Sequence, residues 1–155
     1  MNRFHAVPGV LAAVALVACG EPTGPAGALA LNRERWRARG SADYEFAFQR
    51  YCFCDRAALA PVQIRVAGGA VAAVIDTLGQ PVDSAGVAWF FTITIDSLFG
   101  VVDHAIAVGA HELDVRYHPT LGYPESIVID YDAATVDEEL RLEAALLVPF
   151  TAAVR

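Results

Sequence analysis

The chain has 155 residues, 55% of them hydrophobic, and a formal net charge of −7 at pH 7. That length allows one domain with a real core, and the acidic balance argues against nucleic acid as a partner. All its firm positive charge is arginine, with no lysine, a compositional trait without mechanistic content.

Met1–His5 is a short, weakly basic start carrying Arg3. Ala6–Ala18 follows as an unbroken apolar or small run, the length of a signal-peptide core and short of the ~20 residues a membrane-spanning helix needs. It closes as Leu16-Val17-Ala18-Cys19-Gly20, which resembles the lipobox of bacterial lipoproteins: an aliphatic residue, a tolerant position, a small residue, then the cysteine. In those proteins the leader is cut before the cysteine, whose thiol carries a diacylglycerol. The resemblance implies a signal peptide over residues 1–18 and lipidation at Cys19. The mature chain would then be exported and held to a membrane through that lipid, on the extracytoplasmic face (periplasmic or cell surface). The rival reading is an ordinary secretory leader, or a core helix with a chance cysteine.

Residues 19–27 read as the lipidated cysteine and a Pro/Gly tether, with an r.m.s. reach of roughly 15 Å, and residues 28–155 as a single domain. Within it, Ala28–Arg39 has Leu29, Asn32 and Trp36 at helical spacing, with Gly40 just past the end. Its four alternate arginines, Arg33 to Arg39, spread around such a helix and predict a solvated face rather than a basic stripe.

Ser41–Cys54 begins the sheet. Tyr44, Phe46 and Phe48 alternate onto one face, and the break in phase at Arg50 predicts a bulge near Gln49–Tyr51. Pro61–Val66 alternates again. Gly68-Gly69 then makes a tight hairpin into Ala70–Asp76, whose apolar run predicts burial on both faces. Thr77–Val87 is a loop. Ala88–Ile93 leads on as an approach segment whose Trp89 and Phe90 cap the core.

Thr94–Val108 is the clearest helix, with Thr94 as N-cap, Asp96 in the first turn, and Leu98, Val101, Val102, Ala105 and Val108 as one stripe. Glu112–His118 and Glu125–Tyr131 form a hairpin around residues 119–124, and Asp132–Glu139 is an acidic turn. Leu140–Phe150 is a last strand, since Pro149 sits badly inside a helix. The order α-β-β-β-α-β-β-β predicts an α+β fold: an N-terminal helix, a largely antiparallel sheet of five to six strands, and a second helix on the same face.

Several markers resemble, in kind and order, those of an uncharacterised group of bacterial lipoproteins, a family built on a domain of unknown function. They are Trp36, Tyr44-x-Phe46, Arg50-Tyr51-Cys52-Phe53-Cys54, Thr94-Ile95-Asp96-x-Leu98-Phe99, Val115-x-Tyr117-x-Pro119, Gly122-Tyr123-Pro124 and Ile129-Asp130-Tyr131. The likeness runs over about Leu29–Leu146. It implies an exported, anchored domain and carries no activity with it.

Cys52 and Cys54 are the first chemical candidates. In an extended strand their Cα atoms lie about 6.6–6.8 Å apart, the upper edge for a disulfide, so closing the bond needs a bend. A local disulfide stapling such a bend is the first reading. A redox-active pair is the second, against which stands the missing Cys-x-x-Cys spacing; buried thiols or an intermolecular bond complete the alternatives.

His104, His111 and His118, joined to the cysteines, offer a zinc set. Asp130, Asp132, Asp137, Glu138 and Glu139 offer calcium ligands, without EF-hand spacing. Ser97 and Ser126 lack a nucleophile elbow. No cofactor and no metal is therefore expected, and no complete catalytic constellation is present. Tyr117, Tyr123 and Tyr131 suggest either a cap on the sheet or a recognition edge. The functional expectation is a lipid-anchored, non-enzymatic binding module for an envelope protein or a small ligand, the alternative being a thiol–disulfide redox protein or sensor.

Overall fold

The computed structural model describes residues 24–82 and 88–151. Two helices, α1 (Pro25–Arg39) and α2 (Ile95–Val108), cover one face of a six-stranded sheet. The strands are β1 (Tyr44–Tyr51), β2 (Val62–Ala67), β3 (Ala70–Asp76), β4 (Glu112–Tyr117), β5 (Pro124–Asp130) and β6 (Leu140–Pro149). They lie in the order β3-β2-β1-β6-β5-β4, every pair antiparallel. The α+β fold and its element order are as the sequence predicts.

β1 organises the core. Its alternation puts Tyr44, Phe46 and Phe48 under the helices, all at most 2% exposed. Their rings form a continuous chain. Trp36 of α1 meets Tyr44 edge-on at 5.3 Å, Tyr44 meets Phe46 at 5.8 Å, Phe46 meets Phe48 at 6.4 Å, and Phe48 meets Phe91 at 6.5 Å. Such offset and edge contacts add to the area buried. The Tyr44 hydroxyl also accepts the Ile95 amide at 3.0 Å, so β1 satisfies one of the free N–H groups that open α2. Thr94 and Ser97 close a capping box there, each accepting the other's backbone N–H, and Gly109 ends the helix in the left-handed region.

Several expectations need correction. α1 starts at Pro25, inside the stretch read as tether, because proline is pre-shaped for a first helical turn. The bulge is not at Gln49–Tyr51: β1 keeps its pleat, and Arg50 takes a core-side position, donating to the Phe90 carbonyl at 3.2 Å. The irregularity lies on β6, where Glu45 faces Val148 but Ala47 faces Ala145 and Leu146 holds a φ of 55°.

β3 is an edge strand with only Val74 buried, since it is the last strand of the sheet and pairs with β2 on one side alone. In the segment before α2, a short 3-10 helix over Ala88–Phe91, Phe91 fills the core at 1% exposure and Phe90 packs against it; the Trp89 side chain lies outside what is described. On α2 the buried residues are Ile95, Leu98, Phe99, Val102 and Ala105. Val108 is exposed.

Candidate functional site

Because both helices lie on one side, the opposite face of the sheet faces solvent. Along β1 the outward residues are Glu45, Ala47, Gln49 and Tyr51, and each is set against a partner on β2 or β6. Glu45 accepts from Arg65 at 3.0 Å and from Gln63 at 3.3 Å. Glu143 of β6 accepts from Tyr51 at 3.4 Å and pairs with Arg141, whose guanidinium lies 5.6 Å above the Tyr51 ring. Arg65 lies in the same way over Phe150 at 5.1 Å.

Between these two polar groups the cross-strand pair Ala47–Ala145 leaves the floor low. Two shallow hollows meet there, of about 370 Å³ beside Pro61 and Ile75 and about 140 Å³ beside Gln49 and Glu143.

At the Tyr51 end the chain leaves the sheet through a disulfide. Cys52 and Cys54 are bonded, with Cα atoms 5.3 Å apart, closer than an extended strand allows, so the bend required by the sequence is present. Asp55 fixes the exit by accepting the Ala57 amide at 2.8 Å. A short 3-10 helix, Arg56–Leu59, follows and buries Ala58 completely. Phe53, held between the two cysteines, is 78% exposed.

The other candidates resolve differently. The three tyrosines do not form one recognition edge. Tyr123 is a core residue at 3% exposure, stacked on His118 at 4.9 Å and edge-on to Trp36 at 6.2 Å. Tyr117 stacks on Phe99 and Tyr131 leans on His104, each half-buried against α2. Tyr123 gave little sign of its burial in the sequence, where it sits in the hairpin loop of residues 119–124.

The three histidines do not converge: His104 packs on Tyr131, while His118 Nδ1 accepts the Thr120 and Leu121 amides. Asp132 uses its oxygens on Ala134 N–H and the Thr135 hydroxyl, and these two bonds hold its carboxyl below the usual range. Among the described residues no cluster of three or more His, Cys, Asp or Glu could hold a metal ion. Ser97 is spent on the α2 cap, and Ser126 faces Arg116 and Glu143 across the sheet.

Burial pushes the Tyr44 and Tyr117 phenols up to about 12. Tyr44 is also raised by Asp96 and lowered by the Ile95 amide, and Tyr117 is lowered by Arg33. Burial raises Tyr123 and Tyr131 as well, helped by Glu125 and Glu138 respectively. An unfolded chain loses these protons near pH 10, so above that pH the folded state binds more of them and its stability falls. The urea midpoint is expected to drop steadily between pH 10 and 12, with phenolate absorbance of the buried rings appearing only on unfolding. A midpoint flat across that window would contradict the burial of these hydroxyls.

A family model described as a family of unknown function (DUF6174) matches residues 28–149. No curated protein and no solved structure matches the chain. With the match covering most of the chain, from within α1 to the end of β6, the chain belongs to this family of unknown function.

Proposed function

We propose that the protein is an exported, lipid-anchored domain of the cell envelope that works by binding another envelope component, not by catalysis. The open sheet face and the Cys52–Cys54 turn form the contact surface. The observation that carries this reading is Phe53, exposed at the tip of a turn closed by a disulfide. An aromatic anchor already fixed by its backbone loses little freedom on docking. Tyr51 and Arg141 beside it are residue types favoured at interface centres. The anchoring half rests on the leader, whose Arg3, apolar run and Leu16-Val17-Ala18-Cys19 closure agree. A start of α1 at Pro25 leaves a short link from Cys19, which keeps the domain close to the membrane.

The test is crosslinking in native membranes followed by recovery of the full chain, its Phe53→Ala variant and an anchor-only control. A partner enriched over the control and reduced by about tenfold or more in Phe53→Ala is expected, as for a hot-spot residue. Equal recovery from all three would sink the binding role.

A second reading, a thiol–disulfide redox protein or sensor, is favoured by the solvent access of Cys54. Replacing Cys52 and Cys54 by serine separates the two. A staple across so small a ring contributes about 1–2 kcal/mol, so the melting temperature is expected to fall by roughly 3–8 °C, with partner binding weakened. Unchanged stability with loss of thiol–disulfide exchange would favour the redox reading instead.

A further inference from the structure

An apolar groove runs between the first turn of α1, the middle and end of α2, and the edge strand β4. It consists of two adjoining hollows of about 280 and 270 Å³. The first is bounded by Pro25, Ala28, Val102, Leu113 and Tyr117. The second is bounded by Pro25, Ala26, Ile106, Ala110 and Leu113. Because they share Pro25 and Leu113 they form one trough, in the size range of small-molecule sites, roughly 300–1,000 Å³. Asp114 is the single charged residue among the described residues that line it. The lining is otherwise mostly aliphatic, which suits an unbranched hydrocarbon.

The trough opens at Gly24, at the start of the described chain. Cys19 is five peptide steps away, a reach of at most about 17–18 Å. We infer that this groove seats one acyl chain of the diacylglycerol carried by Cys19. The inference rests on the lipid anchor proposed above. Seating one chain leaves the other to hold the membrane. A single acyl chain anchors only marginally, so the seated form exchanges between membranes more readily than one with both chains inserted.

The experiment uses the full chain made in cells fed a diazirine-bearing palmitate analogue. The lipidated protein is returned to vesicles of phosphatidylethanolamine and phosphatidylglycerol and irradiated. Intact mass is read first. A chain without an acyl group on Cys19 means that the anchor itself has failed, and the groove assignment falls with it.

With the acyl group present, adducts are expected within the chain, on peptides spanning residues 102–117. Ala28→Trp fills the trough from an exposed helical position; it should leave the melting temperature unchanged, remove most of those adducts and slow transfer between vesicles. Adducts confined to neighbouring phospholipid would overturn the assignment while leaving the anchor standing. Undiminished adducts in a normally folded Ala28→Trp variant would do the same.

Discussion

Phe46→Ala is expected to cost about 3–5 kcal/mol of stability, roughly a fifth or more of what a domain of this kind normally holds. Phe46 has no exposed surface and is the middle ring of the chain from Trp36 to Phe91. Truncating it removes the contacts to Tyr44 and Phe48 together, in the strand that β2 and β6 both pair with, so the cavity has few ways to collapse. A fall of more than ~10 °C in melting temperature follows from the size of the domain. Phe53→Ala is the matched control. The same change at a residue 78% exposed is expected to stay within about 0.5 kcal/mol. Similar losses at the two positions would mean that β1 is not the centre of the core.

The second large effect is expected at Gly122. Its φ is +80°, and a Cβ there would lie 2.4 Å from the Asn32 carbonyl oxygen and 2.8 Å from the Arg35 Cβ. Gly122→Ala therefore meets two penalties at once: a left-handed backbone, about 1–2 kcal/mol for a residue with a side chain, and a collision with the backbone of α1. The β4–β5 turn must then move off α1, loosening the Tyr123 contacts to Trp36 and His118 and the Arg39 bond to the Thr120 carbonyl. A total of about 3 kcal/mol or more is expected. Gly68→Ala isolates the first penalty, because φ is +59° there and nothing lies within 4 Å. Denaturant midpoints of the two variants give the difference directly. Equal losses would show that the close approach of turn and helix contributes nothing.

What the sequence made legible was local. The alternation of Tyr44, Phe46 and Phe48 set the core face of β1. Thr94 marked the start of α2, and Gly68-Gly69 the hairpin between β2 and β3. The disulfide was also readable, because two cysteines two residues apart need only a bend to meet.

What escaped was set by contacts between distant segments. Leu146 carries no mark of a left-handed residue; it becomes one because β6 must fit β1. β3 looked buried from its alanines and valines, yet burial depends on its place at the sheet edge. Arg50 looked like a break in phase because charge is seldom placed inward, but the segment before α2 accepts its hydrogen bond. Tyr123 could be read as a sheet cap or a recognition edge, and it becomes core because Gly122 lets its turn approach α1. The low floor of the candidate binding face was invisible for the same reason: Ala47 and Ala145 become neighbours only when β6 returns beside β1.

These features divide the molecule into a helix-covered side that holds the fold and an open side that faces solvent. Lipid anchoring is the claim on which the cellular role depends. Intact mass of the chain extracted from native membranes, before and after reduction and alkylation, tests it most directly. The predicted result is a chain that begins at Cys19, carries a diacylglycerol on that residue, and gains two alkyl groups at Cys52 and Cys54 only after reduction. A chain that retains residues 1–18, or that begins elsewhere without an acyl group, would contradict the account.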